Sequence, residues 1–199
     1  MKKIIEMNQL IKLDILLKKL NSLLEDILHY QFGIEDKEWI NAINTIEEGY
    51  ALARNFINKR KKTAQDWFEK GLKYKEDKNY EKAINAFLNV VDINPNDVIA
   101  WLNLANSYSG NKKHKKAIES LERALEIDPY NAIVLKELGI IYNEISNYDE
   151  AIKALKKALE LDSTYIEAWR LLGFAYEKNS LPDLAAKAFE KARKFNRIP

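Results

Sequence analysis

The sequence predicts an all-α fold: an α-solenoid of stacked helix pairs over residues 64–199, preceded by a helical hairpin over residues 1–63. Three observations predict it. The phrase "WLNLANSY" at residues 101–108 returns 34 residues later as "LKELGIIY", and 34 after that as "WRLLGFAY". Apolar positions inside the repeat fall at helical spacing: Trp101, Leu104 and Tyr108 stand at i, i+3 and i+7, and Ala117, Leu121 and Ala124 at i, i+4 and i+7 make a second stripe. Pro95 and Pro129 stand where one unit gives way to the next, and each ends helical geometry for the residue before it.

In chain order, the first expected helix carries Leu10, Leu13, Leu17, Leu20, Leu24 and Ile27 at 3-4-3-4-3 spacing, the seam of a coiled coil, with Leu16 and Leu23 widening it. Residues 31–36, which include Gly33, read as a turn. The second helix repeats the rhythm with Trp39, Ile43, Ile46, Tyr50, Ala53 and Ile57. Two helices with stripes this wide do not cover each other, so the expectation is self-association into a homo-oligomeric helical bundle through residues 8–60. The rival expectation is that the first helix folds back into the groove of the repeats and blocks it. The basic run "NKRKK" at residues 58–62 reads as the last turn of the second helix, where cations favour the dipole, in preference to a nucleic-acid patch.

From residue 64 on, a step of 34 aligns Trp67, Trp101, Leu135 and Trp169, then Tyr74, Tyr108, Tyr142 and Tyr176. Gly71, Ala105, Gly139 and Gly173 recur in step, as do Ala83, Ala117, Ala151 and Ala185, each followed four residues later by Phe87, Leu121, Leu155 or Phe189. This resembles the tetratricopeptide repeat, W-x2-L-G-x2-Y, then A-x3-F, then P, in four copies at residues 64–97, 98–131, 132–165 and 166–199. The departures are Lys70 at a leucine position, and Ser163 and Arg197 in place of the closing proline. The residues also make sense without the family. Two stripes make a helix hairpin, a small residue removes bulk where its helices cross, and an aromatic ring fills the space beside the crossing. Asp97 and Asn131, just after the proline turns "INPND" and "IDPYN", are placed to cap the next helix.

The end copies differ from the middle ones. One stripe reads Ile84, Ile118 and Ile152 but ends in Ala186, and another reads Val91, Leu125 and Leu159 but ends in Arg193. The first copy holds Asp66, Lys70 and Lys73 where later copies are mostly apolar. A stacked array needs wettable outer faces on its terminal units, so both changes predict an array closed at each end.

The resemblance implies that the first helix of each pair lines a concave groove, through Gln65, Phe68, Leu72 and Lys75, then Ile99, Leu102, Asn106 and Ser109, then Ile133, Lys136, Ile140 and Asn143, then Glu167, Arg170, Phe174 and Glu177. Some family members grip chaperone tail carboxylates with Lys, Asn and Arg over three repeats. Here those places hold Phe68, Leu72, Asn103, Ile133 and Glu137 counted from the first repeat, and only Asn103 agrees; from the second repeat only Asn106 does. The expected ligand is therefore an amphipathic helix or extended apolar segment of a partner protein, held by Phe68, Leu72, Ile99, Leu102, Asn103, Asn106, Ile133, Lys136, Ile140, Arg170 and Phe174. The bland alternative is that Phe68, Ile99, Ile133 and Phe174 are merely buried between repeats.

Composition excludes other classes. Net charge is +2, and residues 64–199 hold 21 Lys/Arg against 21 Asp/Glu, not the basic excess of a general phosphate binder. With no cysteine there is neither a disulfide framework nor a thiolate metal site. Charges at Glu6, Lys12, Asp14, Lys18 and Lys19 interrupt the opening segment too often for a signal core or a membrane span. His29 and His114 are too few for a ligand set or a triad, and no phosphate-binding loop is present. His114 and its lysines at "NKKHKK" read as a solvated bend. The expectation is a cytoplasmic, non-catalytic scaffold without cofactor or metal. An RNA-associated protein using the basic runs, or a non-catalytic subunit of a larger enzyme, remain the alternatives.

Overall fold

The computed structural model of the chain describes residues 37–196 and the isolated positions 15, 18, 19 and 22, all four helical. Eight helices and no strand are found among the described residues: α1 Lys37–Glu76, α2 Tyr80–Ile93, α3 Val98–Gly110, α4 His114–Ile127, α5 Ala132–Glu144, α6 Tyr148–Leu161, α7 Ile166–Lys178 and α8 Pro182–Phe195. They fall into two compact units, one holding the described residues up to Trp67 with Asp92–Pro95, the other Phe68–Val91 with the residues from Asn96 on. The seam residues Leu10, Leu13, Leu17, Leu20, Leu24 and Ile27 and the turn at 31–36 lie outside the described residues, as do the side chains of Trp39 and Ile43.

In the first unit α1 carries the expected second stripe, with Tyr50, Ala53 and Ile57 half-buried and Ile46 36% exposed. Leu52 and Phe56 are more open, at 71% and 51%, and the Arg60 guanidinium stands 5.8 Å from the Phe56 ring centre. The expected division between residues 63 and 64 meets no break in the backbone, because α1 runs on for 40 residues. The local reason is plain: no proline and no glycine stands between Gly49 and Gly71, and the run "NKRKKTAQDWFEK" holds mostly good helix formers. One expectation is corrected by this. Residues 58–62 are mid-helix, so the dipole does not account for them; the basic residues of the last turn are Lys73 and Lys75.

The second unit is built from helix pairs. A Cβ placed on Gly71 would lie 2.7 Å from Phe87 Cε1, on Gly139 2.5 Å from Leu155 Cγ, and on Gly173 2.6 Å from Phe189 Cε1. The absent side chain is what lets these three pairs close; the second pair has Ala105 at the same place. Phe87, Leu121 and Leu155 are fully buried, as are Ala83, Ala117 and Ala151 beside them. Gly110 plays the same part for Tyr80, whose ring would meet its Cβ at 2.5 Å.

Each turn within a pair uses one left-handed residue, at Lys78, Lys112, Ser146 and Ser180, with φ of 56°, 59°, 60° and 59°. The next amide then reaches back five residues, from Asn79 to Tyr74, Lys113 to Tyr108, Asn147 to Tyr142 and Leu181 to Tyr176, at 2.8–2.9 Å. This is a Schellman closure repeated four times, built on Lys and Ser where glycine is usual. Between pairs, Asp97 Oδ1 accepts from the Ala100 amide at 2.9 Å and Asn131 Oδ1 from the Val134 amide at 3.1 Å, as the sequence expects of caps.

The end positions also follow expectation. Ile84, Val91 and Leu159 are buried, and Ile118, Leu125 and Ile152 half-buried, whereas Ala186 and Arg193 on α8 are exposed, as are Asp66, Lys70 and Lys73 on α1. No described helix is long and apolar enough to cross a membrane.

Candidate functional site

Curvature decides which surface is available. Among the described helices from α3 on, the first helices of successive pairs adjoin one another, α3 with α5 and α5 with α7, while α4, α6 and α8 meet helices of the first kind and not one another. The first helices are therefore the more closely spaced layer, and their free face is the inner wall.

Along that wall the predicted residues divide in two. Ile99, Ile133 and Phe174 are exposed at 61%, 52% and 40%, and Arg170 is exposed beside them. The alternative that Ile99, Ile133 and Phe174 are buried between repeats does not hold for these three. Phe68, Leu72, Leu102, Asn106 and Ile140 are half-buried. Phe68 turns partly into the core, edge-on to Phe87 at 5.7 Å between ring centres.

Asn103 and Lys136, by contrast, are 8% and 7% exposed, and their polar ends tie neighbouring helices together. Lys75 Nζ donates to Asn103 Oδ1 at 2.6 Å, joining the first pair to the second. Asn103 Nδ2 donates to the Ile99 carbonyl at 2.9 Å and its own carbonyl accepts from the buried Ser107 hydroxyl at 2.8 Å, so the residue is locked. The Ser109 hydroxyl donates to Glu144 at 2.7 Å between the second and third pairs. Lys136 Nζ lies 2.8 Å from Glu137 Oε1 and 3.3 Å from Glu167 Oε2, reaching from the third pair to the fourth, and 5.9 Å from the ring centre of Tyr165. Burial opposes its charge, but the Glu137 hydrogen bond and the charges of Glu137, Tyr165 and Glu167 outweigh that and hold its pKa above the ordinary lysine value. Asn143 Nδ2 donates to the Leu171 carbonyl at 3.4 Å, and its buried Oδ1 has no hydrogen-bond partner among the described residues.

The polar residues of the floor thus serve as spacers between helices, and the apolar ones on the ledge stay open. Position in the repeat assigns residues to the wall but does not separate these two groups. Only partners about 30 residues away, one helix over, do so.

Of the basic turn, Lys116 Nζ stands 5.8 Å from the Tyr108 ring centre and His114 Nδ1 3.4 Å from Glu144 Oε2. No group of three or more His, Cys, Asp or Glu able to hold a metal occurs among the described residues.

Comparison with solved structures places the fold. MamA is 23% identical with a TM-score of 0.64, covering 81% of this chain and 95% of that one. PilF of Pseudomonas aeruginosa is 28% identical with a TM-score of 0.63, covering 69% and 63%. The first tetratricopeptide domain of Spaghetti (RPAP3), bound to the HSP90 peptide SRMEEVD, is 24% identical with a TM-score of 0.57, covering 60% and 94%. A search of curated proteins gave no match. Models of the tetratricopeptide repeat match residues 71–112, 96–164 and 137–197, so that together they span 71–197. With the 34-residue step, the small residue at each crossing and the stacked pairs already in hand, the chain belongs to the tetratricopeptide repeat family.

Proposed function

We propose that this chain is a non-catalytic protein-interaction scaffold that holds a peptide or amphipathic helix of a partner against the inner wall. The observation that carries this reading is the ledge of Ile99, Ile133 and Phe174, three large apolar side chains left 61%, 52% and 40% exposed on one layer of helices. Covering such surface is worth about 25 cal/mol per Å² of apolar area, which favours an apolar ligand over a charged one. The RPAP3 domain, whose peptide is SRMEEVD, supports a peptide as the class of ligand. An acidic tail suits this wall less well, because Lys136 is already held by Glu137 and Glu167.

The test is affinity purification from the native cell with the unaltered chain and with Ile99→Asp, Ile133→Asp and Phe174→Asp combined. Because all three side chains are exposed, the variant should keep its helical circular dichroism while its specific partners fall by about tenfold or more. An unchanged set of captured proteins would remove the inner wall as the site.

The reading includes self-association through residues 8–60, supported by the apolar stripe of α1, which is half-buried at Tyr50, Ala53 and Ile57, and by the exposure of Leu52 and Phe56. Light scattering of the full chain should give a mass above the monomer's 23.2 kDa, and a monomer across the micromolar range would discard this part. The absence of cysteine is compatible with the reducing cytoplasm we assign to it.

A further inference from the structure

We infer that the outer face of the last repeat carries a second binding site, for a partner segment that presents a bulky apolar side chain flanked by carboxylates. Because α6 and α8 do not adjoin, α7 shows between them, and the opening is a cleft of about 360 Å³. Its floor is Trp169 and Tyr176 over the buried Leu159 and Leu172. The Trp169 indole is fixed by donating to the Ser163 carbonyl at 2.9 Å, and Leu184, 41% exposed, forms the open wall.

Charge singles out this cleft from the comparable one two repeats earlier. The rim at Trp169 holds Lys156, Lys187 and Lys191 against one carboxylate, Glu160. None of the three lysines has an ion-pair or aromatic partner among the described residues. The cleft at Trp101 carries one more carboxylate than cations and its cations are occupied: Glu119, Glu122 and Glu126 face Lys116 and Arg123. There Arg123 is paired with Glu126 at 2.7 Å and Lys116 rests over Tyr108. Between the two, Lys153 is paired with Glu150. Of these two clefts, the one between the last two pairs joins an open apolar floor to uncommitted cations, in a region of the chain whose total charge is balanced. An apolar anchor supplies burial and the carboxylates meet the lysines, which favours an acid-flanked peptide over a neutral one.

The probe is a fluorescein-labelled dodecapeptide of alternating glutamate and aspartate around a central Phe-Leu pair, titrated into the full chain at physiological salt and read by fluorescence polarisation. Saturable binding with a Kd below about 1 mM is expected, weakened about tenfold or more by Leu184→Asp and by Lys187→Glu with Lys191→Glu. The charge-matched pair Lys113→Glu with Lys115→Glu, exposed at the start of α4, should leave it unchanged. Circular dichroism of each variant checks that the helices are intact. Four results would overturn the proposal: no saturation below that concentration, full affinity in the Leu184→Asp variant, equal losses in both lysine pairs, or undiminished binding of a peptide with Ser-Ser at its centre.

Discussion

Leu155→Ala should lower the free energy of unfolding by about 2–5 kcal/mol, read from urea denaturation followed by circular dichroism. Leu155 is fully buried where α5 crosses α6 and belongs to the cluster with Leu159, Ala168, Leu172 and Ala188 that joins the third pair to the fourth. Its truncation removes packing on both sides, from Gly139 within the pair and from the neighbouring pair. In a stacked array, stability is close to a sum of units and nearest-neighbour interfaces, so a loss at such a junction also lowers cooperativity between repeats. The crossing itself can be interrogated. Gly139→Ala gains about 1 kcal/mol of helix propensity, but its Cβ would stand 2.5 Å from Leu155 Cγ, and overpacking of a buried branch costs about 1–3 kcal/mol. In the Leu155→Ala background that obstacle is gone, so the same glycine substitution should turn from harmful to neutral or stabilising. Additive effects of the two changes, or a Leu155→Ala loss under about 1 kcal/mol, would show that this crossing is not packed as described.

The residues involved in that prediction were legible from sequence, and for a physical reason. A stacking array must reuse one geometry at every step, so Gly71, Gly139 and Gly173 each mark the same steric limit opposite Phe87, Leu155 and Phe189. The caps at Asp97 and Asn131 were legible because side-chain acceptors follow the proline turns directly. The continuity of α1 is less legible: no glycine or proline marks a stop near residue 64, but Thr63 with Asp66 three residues on has the spacing of a cap, and only the structure shows the Thr63 hydroxyl donating back to the Lys59 carbonyl at 2.8 Å. The left-handed turn residues escaped notice because Lys78, Lys112, Ser146 and Ser180 carry no glycine signature; tertiary packing and the backward hydrogen bond hold them there. On the inner wall, sequence could assign Lys136 and Ile133 to one surface. It could not show that Lys136 is buried, because a buried lysine needs carboxylate partners, and one of the two, Glu167, lies 31 residues on and is met only after stacking.

Lys136→Ala should therefore destabilise the array by about 1–3 kcal/mol, and Lys136→Met, which keeps the methylene packing, by less. Removing one partner from a fully buried ion pair costs about 3–5 kcal/mol, but the Glu167 side chain is 57% exposed and water can solvate it, so the smaller range applies. Glu137, at 17%, is the carboxylate left short of a partner. Methionine keeps the methylene packing but leaves Glu137 equally short of its partner, so the difference between the two variants reads the packing alone. Titration supplies an independent reading. The folded chain holds the Lys136 proton to a higher pH than the unfolded chain does, so this stabilisation is whole below the ordinary lysine value of about 10.4 and is lost as pH rises through the folded value. Tyr108 and Tyr142 act in the same direction, since burial raises both above the ordinary tyrosine value, with nearby Glu119 adding at Tyr108 and Glu122 and Glu150 at Tyr142. These three groups leave stability flat from neutral pH to about pH 10 and make it fall above that. Lys136→Met should lose less than the unaltered chain between about pH 9 and about pH 11, with the remaining decline coming from the tyrosines. Equal declines in the two proteins, measured by denaturation at both pH values, would show that the carboxylates do not hold Lys136 in its charged form.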